Sequence, residues 1–206
     1  MDFKNKICAY LQAEIEIIKT LDTNAIDTAM NIILDTYEAE KNIYIFGNGG
    51  SAATASHFTN DFNKGISELV EKKFRFICLN DNIATVMAIA NDIGYDEVFR
   101  FQLRGRLSPG DLLIAISGSG NSTNVINAVK YAKAHENIVI GLTGFDGGNL
   151  KRLCDVSLHV PISSMQITED IHMVFDHLMM SVFSEMIDRD RPLVQTVVDA
   201  LYYRRN

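Results

Sequence analysis

The stretch IYIFGNGGSAATASHFTNDF, residues 43–62, decides how this chain is read. It begins as an apolar run, turns through glycines and a serine, and continues at helical spacing. Five β-rich runs of this kind occur: NIYIFG (42–47), RFICLN (75–80), LLIAIS (112–117), VIGLTG (139–144) and VSLHVP (156–161). Each is nearly continuous in apolar residues rather than alternating, which is the pattern of strands buried on both faces of a parallel sheet. Helical segments over 51–64, 83–91, 96–106, 122–135 and 147–153 separate or follow them. The alternation predicts an α/β fold, a doubly wound five-stranded parallel sheet flanked by helices, with right-handed crossovers.

The flanks add helices. Phe3, Ile7, Leu11, Ile15 and Ile18 fall on one stripe at helical spacing, predicting a helix over 3–21. Asp22, Thr23 and Asn24 are good N-cap types for a second helix over 25–40. A longer helix is expected over 168–188, broken by RDRP (189–192), with LVQTVVDALYY as a last amphipathic segment. No low-complexity linker or repeat appears. The expectation is one domain over 1–206, with N-terminal helices 3–40, an α/β core 42–188 and a helical extension 189–206.

Apolar residues make up 47% of the 206, enough for a proper core. No apolar run approaches the ~20 residues of a membrane helix, and the start MDFKNKICAY has no signal-peptide pattern. A soluble, cytoplasmic protein with no membrane partner is expected. Cys8, Cys78 and Cys154 are widely spaced in apolar surroundings and read as buried free thiols. The net charge of −7 argues against a nucleic-acid partner. An anionic ligand would need local donors, because the protein as a whole repels it.

Two strands end in turns that supply such donors: Gly47-Asn48-Gly49-Gly50-Ser51 after the first, and Ser117-Gly118-Ser119-Gly120-Asn121-Ser122 after the third. In a doubly wound sheet the carboxyl ends of the strands line the ligand crevice. Glycines there let backbone N–H groups face a ligand, and the next helix offers its N-terminus. Serine hydroxyls add neutral donors. The result is an anion cradle without lysine, suited to a ligand with a phosphate and hydroxyls. Gly47-x-Gly49-x-x-Ala52 formally matches a dinucleotide fingerprint, but that fingerprint wants an acidic residue ~20 positions on, and the second strand ends at Asn80-Asp81, about thirty on. A P-loop would need GK[ST], which is missing. No nucleotide cofactor is expected. Plain tight βα connections are the other reading, weakened by the presence of two such turns.

His57 and Asp61, at i and i+4, share a helix face about two to three turns from the phosphate end, roughly 10–15 Å away. TEDIHMVFDH (168–177) holds Glu169, Asp170, His172, Asp176 and His177 among packed apolar positions. At 100° per residue His177 lies about 80° round from Glu169 and two turns away. The two could share a ligand only if Glu169 sits at a frayed helix start or bends back. Such a cluster can bind a divalent metal such as zinc or supply a general base and acid. His135 reads as a solvated surface residue and His159 as structural. His172 either orients the cluster or packs against a neighbouring subunit.

GNGGS (47–51), HFTND (57–61), AIANDIGY (88–95), ISGSGNS (116–122), GLTGFDGG (141–148) and EDIHMVFDH (169–177) follow one another in order. Together they resemble the SIS (sugar isomerase) domain family and, within it, the phosphoheptose isomerases, over roughly residues 5–188. The resemblance implies a flavodoxin-like sheet and aldose–ketose isomerisation of a phosphorylated sugar such as sedoheptulose 7-phosphate through an enediolate. It implies sugar-phosphate contacts from Asn48, Gly49, Gly50 and Ser51, a phosphate loop of Ser117, Gly118, Ser119 and Ser122, and hydroxyl contacts from Asn91 and Asp92. Asp61 falls on the family's catalytic glutamate and His177 on its catalytic histidine. A zinc ion, seen in some members, would fall on His57, Asp61, Glu169 and His177, one per subunit. Members are typically homotetramers with sites at subunit contacts. The departures are Asp61 for glutamate, Glu169 for the usual glutamine, Gly118 for threonine and Gly65 for arginine, with Lys64 adjacent. SIS domains also serve as sensors or scaffolds, one relative binding a replication initiator, so a non-catalytic sugar-phosphate-binding protein is the alternative.

Overall fold

The computed structural model describes residues 2–187, and the helical extension expected over 189–206 lies outside the described residues. Strands β1 (Ile43–Gly47) and β3 (Leu112–Ser117) are buried at every position, as continuous apolar runs require. They lie side by side in a five-stranded parallel sheet of order β2-β1-β3-β4-β5, with β2 Phe76–Cys78, β4 Ile138–Thr143 and β5 Val156–His159. Ile43 pairs with Leu112 and Gly47 with Ile116. The chain therefore reverses its winding direction between β1 and β3, and their carboxyl ends flank a crevice.

The period of two along each strand divides the core. Ile43 and Ile45 of β1 join Ile114 and Ile116 of β3 against α2 (Thr23–Glu38), α3 (Gly50–Asn60) and α8 (Met165–Ile187). Tyr44 and Phe46 join Leu113 and Ala115 on the other face, against α4 (Ile83–Asp92), α5 (Arg100–Leu103), α6 (Thr123–Ala134) and α7 (Gly148–Leu153). The expected strands and helices are present with small shifts of boundary. The segment expected as one helix over 96–106 is a 3₁₀ turn, Tyr95–Glu97, followed by the short α5.

Asp22 caps α2 by accepting from the N–H groups of Asn24 and Ala25. Ahead of it, α1 (Lys4–Ile18) has no buried residue. Its apolar stripe stands in the open: Phe3, Ile7, Leu11, Ile15 and Ile18 are all exposed. This corrects the expectation for Cys8, which is exposed because α1 meets the core only through its partly buried Ala13 and Ile17, whereas Cys78 is buried and Cys154 half-buried. Among the described residues, no helix is long and apolar enough to cross a membrane.

Candidate active site

The two glycine-serine turns face each other across the crevice. They line a cavity of about 260 Å³ together with Ile116 and with Met165 and Glu169 of α8. Its other lining residues are Asn48, Gly49, Gly50, Ser51, Ser117, Gly118, Ser119 and Ser122. Gly49 has φ 56° and ψ −121°, a conformation that L side chains rarely adopt, and it starts α3. A Cβ at Gly50 would lie 2.5 Å from the Glu169 carboxylate, so any larger residue would displace that side chain from its place in the cavity. Ser122 precedes α6, and its hydroxyl lies 3.1 Å from that of Ser117. Two helix N-termini and a set of hydroxyls thus converge on one cavity, an arrangement that binds anions through dipoles rather than full charges.

Asn48 is held in place by its neighbours. Its amide donates to Asn124 Oδ1 at 2.9 Å, and Asn124 Nδ2 returns a bond of 2.9 Å to Asn48 Oδ1. The Tyr95 hydroxyl donates to the same oxygen at 2.8 Å. Asn124 is buried, so the pair fixes the Asn48 rotamer from below. Asn91 and Asp92 stand elsewhere. Both are exposed at the end of α4, the Asn91 amide donates to Asp92 Oδ1 at 2.8 Å, and neither lines the cavity. Their helix follows β2, the edge strand, one strand removed from the β1/β3 crevice.

Both α3 and α8 start at the cavity and carry side chains onward. The expected helix over 51–64 is α-helical only to Asn60, and Asp61–Gly65 is a π turn. Buried positions therefore recur at a spacing of five, Asp61 and Phe62 and then Ile66 and Ser67. Phe62 stacks on Phe76 at 4.5 Å and meets Phe183 of α8 edge-on at 5.8 Å. Truncating a buried ring of this kind costs about 3–5 kcal/mol. That packing presses the end of α3 against α8.

At this contact four side chains meet. Donor atoms of His57, Asp61, Asp176 and His177 all lie within 4.8 Å of one another. His57 Nε2 is 3.5 Å from Asp61 Oδ2 and 3.1 Å from His177 Nε2. The imidazoles are exposed, while Asp61 and Asp176 are buried. Asp176 has no hydrogen-bond partner on either oxygen. Burial pushes its carboxyl up to about 8, and the nearby charge of Asp61 adds to the effect. His57, Asp61 and His177 are thus brought together from distant parts of the chain, and their imidazole and carboxylate donors suit a divalent ion such as zinc.

Glu169 stands apart from this group. The helix starts at Met165, so Glu169 is a full turn inside it rather than at a frayed end. Eight residues of rise, about 12 Å, separate it from His177, and its carboxylate rests against Gly50 in the cavity instead. Asp176, in the fourth place of the cluster, was named among the metal- or acid–base-capable residues of 168–177 but was given no role in the site. Its signal was a carboxylate embedded among Val174, Phe175 and Leu178 on a packed helix.

His172 is fully buried within the chain, which argues against one of its two expected readings, packing against a neighbouring subunit. Neither ring nitrogen has a well-formed hydrogen bond. Burial lowers its pKa to about 4, against a smaller opposing pull from the Thr143 backbone. His159 stands at 3.0 Å from Thr143 Oγ1, and burial lowers its pKa too, with the Lys151 charge adding to it. His135 is exposed at the end of α6.

Comparison with known proteins bears on the whole arrangement. The profile of the SIS domain matches residues 7–144. A phosphoheptose isomerase of Aliarcobacter butzleri is 40% identical over 169 residues, spanning 82% of this chain and 88% of that protein. One of Helicobacter pylori is 39% identical over 155 residues, 75% of this chain and 80% of that one. The solved structure of the phosphoheptose isomerase GmhA from Neisseria gonorrhoeae superposes with a TM-score of 0.81 at 32% identity, covering 89% of this chain and all of that one.

Proposed function

This chain belongs to the SIS domain family and, within it, to the phosphoheptose isomerases, and we propose that it interconverts sedoheptulose 7-phosphate and an aldose heptose phosphate at the β1/β3 crevice. The observation that carries this reading is the joint placement of cavity and cluster. Two helices, α3 and α8, both start at an anion-binding cavity and bring an acid–base group together two to three turns farther on. A sugar phosphate spans that distance, with its phosphate in the cavity and its carbonyl end at the cluster.

In this reading Ser117, Ser119, Ser122 and the N–H groups around Gly49, Gly50 and Gly118 hold the phosphate. Asn48, locked by Asn124 and Tyr95, and Glu169 face the sugar. Asp61 takes the proton from the carbon next to the carbonyl, giving an enediolate. His177, beside His57, donates to the developing oxyanion and moves the hydroxyl proton between the two oxygens. The residues fit one divalent cation, zinc by donor chemistry, which when bound would supply positive charge at that oxyanion. His57, Asp61 and His177 would hold it, and its charge would then stand in for the His177 N–H at the oxyanion.

The exposed stripe of α1 supports a homo-oligomer, a tetramer in this proposal, because five large apolar side chains on one exposed helix face favour a partner surface. A phosphorylated substrate and three unpaired cysteines suit a reducing, cytoplasmic compartment. The test is incubation of the purified protein, with and without zinc, with sedoheptulose 7-phosphate and other ketose phosphates. Formation of the aldose phosphate is the expected result; turnover of none of them would exclude the proposal.

A further inference from the structure

The geometry points to a ligand role for a residue outside the machinery described so far: we propose that Asp176 completes the cation site, so that His57, Asp61, Asp176 and His177 bind one divalent ion of the zinc class while Glu169 is left to the sugar-phosphate cavity. The proposal rests on the isomerase reading for the purpose of the site, but not for its occupancy.

Asp176 has no solvent exposure, and neither carboxylate oxygen has a hydrogen-bond partner. A buried carboxylate is ordinarily satisfied by donors or by a cation, because the charged form loses its hydration on burial. Among the described residues, no lysine or arginine forms an ion pair with Asp176 or Asp61. What faces Asp176 is a set of metal-type donors, with one atom of each of the four residues inside a 4.8 Å span.

The spacing fits a small ion. Tetrahedral zinc with bonds of about 2.0–2.1 Å has donor–donor edges of about 3.3–3.4 Å. His57 Nε2 lies 3.1 Å from His177 Nε2 and 3.5 Å from Asp61 Oδ2, both close to that edge. Two carboxylates would neutralise a divalent charge, and the two imidazoles add neutral nitrogen donors. Burial orders the set: the carboxylates form the protein side and the exposed imidazoles the solvent side. Glu169 cannot serve in the fourth place while it sits against Gly50, about two helical turns away.

The test is a titration of the chelator-stripped full chain with zinc against a chromophoric competitor, repeated with cobalt to read the visible bands of a tetrahedral site. Wild type should bind one ion per chain. Asp176→Asn should weaken binding at least tenfold and lose the tetrahedral cobalt spectrum, and Glu169→Gln should bind within about twofold of wild type. Wild-type affinity in Asp176→Asn would overturn the proposal. So would an equal loss in Glu169→Gln, or no uptake by wild type. If Asp176→Asn does not fold, a crystal structure of the zinc-loaded wild type decides: an ion about 2.0–2.2 Å from an Asp176 oxygen supports the assignment, and an ion on Glu169 instead refutes it. Turnover is measured separately. Tight zinc binding without turnover would count against the isomerase reading alone, and turnover with an unaltered Asp176→Asn affinity against the ligand role alone.

Discussion

The β1/β3 cavity and the histidine–carboxylate cluster share two helices, yet they are built by opposite means. The cavity is lined mainly by glycines and hydroxyl residues of two short turns, with Met165 and Glu169 of α8 closing one side. The cluster is made of ionisable side chains 120 residues apart, joined because Phe62 and Phe183 pack α3 onto α8. The two turns present fixed dipoles, whose strength does not depend on pH. The cluster gathers groups able to move protons or hold a cation, and in it burial raises the Asp176 carboxyl. Isomerisation needs both, a grip that stays constant and a centre whose charge can change.

The difference predicts which perturbations separate the halves. Asp61→Asn should lower turnover by about 10²–10⁴-fold while leaving sugar-phosphate affinity within a few fold, checked by steady-state kinetics beside calorimetry. An equal loss of affinity would mean that the cluster also grips the ligand and that the division is wrong.

Stability should show the same asymmetry. His172 is buried with its pKa lowered to about 4 from the ordinary 6.5, so the unfolded chain binds the extra proton first as pH falls. Stability is therefore lost as pH drops through the window from 6.5 to 4. The difference between wild type and His172→Leu in denaturant unfolding should change by about 1.4 kcal/mol per pH unit there, other titrating groups cancelling. A pH-independent difference would show that His172 titrates normally.

In the cavity, Gly49→Ala has open space for its methyl group, so its effect is backbone strain alone. A cost of about 1–2 kcal/mol, felt as roughly tenfold weaker sugar-phosphate binding, is expected. Little change in kcat should accompany it. Tyr95→Phe should be milder still. It removes one 2.8 Å hydrogen bond to Asn48 while Asn124 remains, so KM should rise about two- to fivefold. A larger effect than that of Gly49→Ala would shift the weight of recognition from the turns to Asn48.

The same contrast explains what could be read from the sequence. Continuous apolar runs, the Asp22 cap and the paired glycine-serine turns are local signals, and each appears where its residues predict. His57 and Asp61 were legible as an i, i+4 pair on one helix. Partnership across helices was not. Glu169 and Asp176, seven residues apart, share a face of α8, and which of them meets His57 depends on how far along α3 that helix lies. The π turn at Asp61–Gly65 was likewise hidden, because its cause is the tertiary aromatic cluster around Phe62 rather than a local propensity. Asn91 and Asp92 matched a motif, but their helix follows the edge strand, away from the crevice.

The most direct measurement follows the reaction itself: purified protein mixed with sedoheptulose 7-phosphate, with the sugar phosphates resolved by NMR over time. The account predicts that an aldose heptose phosphate accumulates to equilibrium with wild type and fails to form with Asp61→Asn. Persistence of the ketose with wild type, zinc present or absent, would contradict it.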